Sequence, residues 1–178
     1  MDAVEMFERA SLAASALANS VPPERLSMAT PCAEWDVAEL LEYMAGGPTY
    51  LLTALGIDAA ESPRWPDEEA IDVCLAGLRE PEALERRCMS PAGFERSIAE
   101  AAAGTAMDQL VHTWDLAVAF GADRGLDREV AAAVVEMFLP QMPEMGRQAG
   151  LVGPAVTIGA GASLQDVLLA AMGRDPGR

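Results

Sequence analysis

The chain has 178 residues, enough for one domain with a sizeable core, read here as a single unit over 1–178. Twelve basic residues, all arginine, face 28 acidic ones, and a net charge of −16 repels nucleic-acid backbones and anionic lipid surfaces. No apolar run approaches the ~18 residues of a membrane span, the N-terminus lacks the basic and apolar regions of a signal peptide, and three cysteines without a CxxC fit neither a disulfide framework nor a zinc knuckle, so a cytoplasmic protein with no nucleic-acid or membrane partner is expected.

Apolar residues make up 51% of the chain but aromatics only 5%, so the apolar mass is Ala, Leu, Val and Met, which favours helices. Residues 2–19 read as an amphipathic helix with Val4, Phe7, Ala14 and Leu17 on one face, ended by Pro22-Pro23. A loop runs to about Cys32. Asp36 followed by Glu39 is a capping-box pattern, and Val37, Leu40, Leu41, Met44, Leu51, Leu52 and Leu55 continue at helical spacing. Gly46-Gly47-Pro48 is expected to kink or break this helix, and Gly56 to stop it. Asp67-Glu68-Glu69 opens a third helix that runs to about Glu80, followed by a connecting segment to Gly93.

The fourth and longest helix is expected over roughly Phe94–Phe120, closed by Gly121. A fifth starts at Asp127 and ends before Pro140, residues 140–163 read as an extended wrap, and a last helix spans Leu164–Met172. The one strand-like stretch is Ala155–Ile158. Long helices with apolar faces must bury them against each other, which gives an all-α four-helix bundle with additional C-terminal helical elements.

One constellation carries chemistry. Asp108 and His112 are four residues apart on the fourth helix, hence on one face, and Asp115 lies one further turn along. The surroundings are apolar: Leu110, Val111, Trp114, Leu116. A carboxylate beside an imidazole there can ligate a divalent metal, tune a general base, or form a satisfied core contact. The remaining candidates read as structure. Cys32 is a nucleophile by residue type but reads as packed near a helix start, Trp35 and Trp114 anchor the core or line a pocket, and Asp36 is a cap. Asp115 ties His112 or a loop amide, and Met137, Met142 and Met145 fill space or line a pocket. Arg147 is a solvated loop arginine or a contact for an anionic substrate.

Thr30-Pro31-Cys32-Ala33-Glu34-Trp35-Asp36-Val37, then Leu40-Leu41 and Gly46-Gly47, resembles the opening of the DinB-like family related to the N-terminal domain of mycothiol-dependent maleylpyruvate isomerase, known from actinobacteria. The resemblance continues in Leu110-Val111-His112-Thr113-Trp114-Asp115-Leu116-Ala117, in Gly121-Ala122-Asp123, in Gly153-Pro154-Ala155-Val156 and in Gly173-Arg174-Asp175-Pro176. It implies an up-down-down-up four-helix bundle. It also implies zinc or nickel held by a histidine of the second helix and by an acidic residue and a histidine at i, i+4 of a later one. Asp108 and His112 match the latter two, but Tyr43 stands where the first histidine belongs, with Glu42 turned about 100° away around the helix.

With one histidine in the chain, a two-histidine site is impossible, and a neutral phenol is a poor ligand for zinc. The expectation is therefore a metal-free site in which His112 is a base, Asp108 tunes it and Tyr43 donates a proton, all inside an enclosed apolar pocket. Such a site would isomerise, cyclise or eliminate from a small molecule. The alternatives are a thiol transferase that keeps a metal on Asp108 and His112, with mycothiol as co-substrate, and a non-catalytic small-molecule-binding or interaction module. Either a monomer or a homodimer is compatible with this surface.

Overall fold

A computed structural model describes residues 1–32, 35–140, 142–148 and 150–177. The chain is mostly helical, as its composition implies, and forms two compact units, Met1–Arg124 and Gly125–Arg178. Among the described residues no helix is long and apolar enough to cross a membrane.

The first unit contains helices α1 (Ala3–Asn19), α2 (Val37–Leu55), α3 (Glu68–Leu78) and α4 (Ile98–Phe120), with a hairpin of β1 (Arg87–Met89) and β2 (Glu95–Ser97) before α4. Helix α1 packs on α4, α4 on α2, α2 on α3, and α3 on α1. The buried side of α1 runs through Met6, Phe7, Ala10, Ala14 and Ala18, so Val4 and Leu17 lie at the margin of the expected face. Helix α4 is buried nearly all round, and it carries Thr105, Gln109, His112 and Asp115 into the core. A polar group there costs free energy unless it is bonded, so these four side chains define where the interior is specialised.

Of the kink or break expected in helix α2, the break does not occur: the helix runs unbroken through Pro48. Proline disfavours a helical conformation in the residue before it partly through that residue's Cβ, and Gly47 has none. Pro48 also has no N–H to give the carbonyl four residues back, that of Met44. The Gln109 side chain supplies the missing donor from α4: its Nε2 donates to the Met44 carbonyl oxygen at 2.7 Å. Gly47 also lets the helices approach, because a Cβ there would lie 2.9 Å from Thr105 Cγ2 and 3.3 Å from Gln109 Nε2.

The hairpin is a second correction. Arg87 pairs with Ser97, Cys88 with Arg96 and Met89 with Glu95, antiparallel, in a segment expected to be a mere connection. Three-residue strands carry too short an alternation to be read. Helix α4 accordingly starts at Ile98, capped by a Ser97–Glu100 capping box, and not at Phe94. The Asp36–Glu39 box on α2 forms as expected.

The second unit holds α5 (Arg128–Phe138), α6 (Met142–Gln148) and α7 (Leu164–Ala171), with α5 packed on α7. Helix α6 interrupts the expected extended wrap, and Ala155–Ile158 is not a strand. The Gly153 and Gly173 motifs meet backbone to backbone: a Cβ on Gly173, whose φ is +80°, would lie 3.0 Å from Gly153 Cα. Arg147 is not a free loop arginine, since it sits on α6, donates to the Ala171 carbonyl at 3.1 Å and pairs with Glu144 at 3.4 Å. Met137 and Met145 are about half exposed and fill no core, while the Met142 side chain lies outside the described residues.

Candidate functional site

The loop before α2 folds back along that helix and presents Cys32. Thr30 and Trp35 close the turn: the Thr30 backbone N–H and hydroxyl both donate to the Trp35 carbonyl, at 3.2 and 2.9 Å. The Cys32 backbone N–H donates to Thr30 Oγ1 at 3.1 Å, and an antiparallel bridge joins Ala29 to Asp36. Ala33 and Glu34 of the same motif lie outside the described residues. Helix α4 contributes Asp108, His112 and Asp115 from successive turns, as their spacing requires. Helix α2 contributes Tyr43, adjacent to the Met44 carbonyl that Gln109 holds, so one cross-helix bond sets the register of the phenol against α4.

The structure brings all three expected residues together. The Tyr43 hydroxyl donates to Asp108 Oδ1 at 3.3 Å, and the same oxygen lies 3.5 Å from His112 Nε2. The Tyr43 and His112 rings meet edge to face at 5.0 Å, and Trp35 lies against Tyr43 at 4.7 Å. Trp35 is thus a half-buried wall of the site and no core anchor, whereas Trp114 is fully buried as expected.

Among the described residues, Tyr43 and Asp108 do not lie in the enclosed apolar pocket that was expected. Tyr43 is 45% exposed and the Asp108 side chain 31% exposed, so the phenol and this carboxylate face solvent while the imidazole lies beneath them. A recess of about 440 Å³ between α1 and residues 78–85 is acidic and lined by none of these groups.

Two residues read as structural from the sequence belong to the site. Asp115, completely buried, accepts from His112 Nδ1 at 2.9 Å and from the Cys32 thiol at 3.2 Å, both on Oδ2. Cys32 Sγ is 3.7 Å from His112 Nδ1. The available signal was the i, i+3 spacing of His112 and Asp115; nothing in the spacing reaches back 80 residues to Cys32. His112 therefore has a carboxylate at each nitrogen. Burial works against its charged form, but hydrogen bonds to Asp108, Asp115 and Cys32, together with the charge of Asp108, outweigh it and hold the ring protonated well above its ordinary value of 6.5. Carboxylates only accept, so in this geometry His112 is a donor at both nitrogens and not a free base.

The ligand set implied by the family resemblance does not fit a metal here. Its three members are a phenol that gives its proton to Asp108, that half-exposed carboxylate, and one imidazole nitrogen. On the other edge of His112, the donor atoms of Cys32, His112 and Asp115 all lie within 4.8 Å of one another, a group that could hold a metal ion. Asp108, the expected partner ligand, is not part of it.

The chain is 30% identical over 137 residues to Uncharacterized protein MT0763 of Mycobacterium tuberculosis strain CDC 1551 / Oshkosh, covering 74% of both chains. The same figures hold for Uncharacterized protein Rv0738 of strain H37Rv. No family model and no solved structure matches the chain. The chain belongs to the family of these mycobacterial proteins.

Proposed function

We propose that the chain is a small-molecule enzyme on a DinB-like up-down-down-up bundle of α1–α4, similar to mycothiol-dependent isomerases and thiol transferases, with Tyr43 and Asp108 as its reacting groups. One observation carries this reading: a phenol from α2 and a carboxylate from α4 meet at 3.3 Å over a buried imidazole, where solvent and a substrate can reach them. Asp108 is the proton acceptor and Tyr43 the donor to a developing oxyanion, and His112 fixes Asp108 from beneath through Nε2.

In a thiol-assisted isomerisation Asp108 takes the thiol proton as the sulfur adds to the carbon–carbon double bond, and Tyr43 gives its proton to the enolate oxygen. After rotation about the former double bond the carbon–sulfur bond breaks, both protons return and the thiol is regenerated. The step therefore consumes no net proton. The substrate that suits this arrangement is a small carbonyl compound with an acidic carbon–hydrogen bond or a double bond able to accept a thiol.

The test is turnover of maleylpyruvate with and without mycothiol, followed by absorbance. Wild type should convert it, and Asp108→Asn should lower kcat by about 10²–10⁴-fold, the range for loss of a general base. Tyr43→Phe should lower kcat more than it changes KM. No turnover by wild type, with the compound nonetheless raising its melting temperature, would make the site a binding module. Unchanged turnover in Asp108→Asn would remove the assigned chemistry.

A further inference from the structure

The acid–base pair uses only the Nε2 edge of His112. The Nδ1 edge faces two side chains for which the proposed reaction has no role, Cys32 and Asp115. We propose that Cys32 Sγ, His112 Nδ1 and Asp115 Oδ2 are the ligands of a divalent transition metal, zinc by donor chemistry, in place of the set implied by the family resemblance.

The donor set comes first. A thiolate, an imidazole and a carboxylate together select a borderline ion such as zinc over magnesium or calcium, which prefer oxygen alone. The spacing agrees. Donors at zinc bond lengths on a tetrahedron stand about 3.4–3.6 Å apart. The Cys32–His112 separation is 3.7 Å, and the contacts of Asp115 at 3.2 and 2.9 Å need to open by only a few tenths of an ångström.

The scaffold is rigid where it must be. His112 and Asp115 are buried on one helix, and the Cys32 turn is pinned by Thr30, while Cys32 itself is half exposed and leaves a way in for the ion. The outer shell is present as well. A metal-bound imidazole typically gives its other N–H to a carboxylate, and here Nε2 meets Asp108, which Tyr43 holds in turn.

Binding displaces the thiol proton of Cys32 and the Nδ1 proton of His112, and both leave to solvent. The thiolate and carboxylate then balance the two charges of the ion. Three protein ligands leave a fourth position for water or a substrate atom, the pattern of a catalytic rather than a structural zinc. This site goes beyond the proposed function and stands whether or not Tyr43 and Asp108 turn over a substrate, because its readout is metal.

The experiment strips the full-length chain with a chelator, adds zinc or cobalt(II), and measures bound metal and the near-ultraviolet spectrum. Wild type should take up one ion per chain and show a thiolate-to-cobalt charge-transfer band. Cys32→Ser, at a half-exposed position and checked for folding by circular dichroism, should lose the band and most of the affinity. Asp108→Asn should keep the band and weaken binding about 10–100-fold, as outer-shell changes do. Tyr43→Phe should keep both stoichiometry and band. Uptake no greater than trace by wild type, Cys32→Ser binding as tightly as wild type, or loss of binding in Tyr43→Phe would each overturn the assignment.

Discussion

The bond between Gln109 and the Met44 carbonyl offers a quantitative test of how this site is held. Replacing Gln109 by Met keeps the length of the side chain and removes the donor. A buried acceptor left without a partner costs about 1–3 kcal/mol. Yet Gln109 Oε1 is itself buried without a hydrogen-bond partner, and its removal returns a cost of similar size. The two terms oppose each other, so the single variant says little.

A double-mutant cycle with Pro48→Ala separates them. Pro48→Ala restores the backbone N–H that a helix would normally give to Met44, which makes the Gln109 donor redundant. Gln109→Met should therefore be worse in the wild-type background than in Pro48→Ala by about 1–2 kcal/mol, the worth of one buried bond. The assay is urea unfolding followed by far-UV circular dichroism, with an unchanged m value as the control that compactness is preserved. Additivity within about 0.3–0.5 kcal/mol would show that Gln109 does not stand in for the missing N–H.

The neighbouring glycines should respond in opposite directions. Gly46→Ala meets nothing within 4 Å and should stabilise by about 0.5–1 kcal/mol through helix propensity. Gly47→Ala should destabilise, since its Cβ meets Thr105 Cγ2 at 2.9 Å and overpacking costs about 1–3 kcal/mol; thermal melts of the pair decide. Thr105 is held by its own hydroxyl on the Ala101 carbonyl and cannot turn its methyl away without breaking that bond. The buried Cys74 thiol is pushed up from 9.0 to about 12 by desolvation. Its unfolded form ionises first, so this group should cost about 1.4 kcal/mol of stability between pH 8 and pH 10, a slope that Cys74→Ala removes in unfolding curves at both pH values. Asp36→Ala breaks the capping box on α2 and should cost about 1 kcal/mol by the same denaturation assay.

Helical class, the cap at Asp36, the start of a helix near Asp127 and the meeting of Tyr43, Asp108 and His112 were legible in the sequence, because each rests on local spacing or on a resemblance carried by contiguous residues. What escaped was non-local. Pro48 reads as a helix breaker until Gln109, 61 positions later, is known to serve the carbonyl it orphans. Asp115 reads as a structural contact until Cys32 arrives from a loop before α2. Exposure escaped too. An apolar neighbourhood on α4 suggested a closed cavity, but Tyr43 approaches from the side of α2 that faces water.

A single histidine makes the decisive measurement clean, because its two ring nitrogens give one pair of ¹⁵N signals. Nε2 faces Asp108, and Nδ1 faces Asp115 and Cys32. In metal-stripped protein, Asp108→Asn should move the Nε2 signal and leave Nδ1 nearly in place, and Cys32→Ser should do the reverse. Both variants moving the same nitrogen, or neither moving any, would contradict the two-edged histidine on which the site is built.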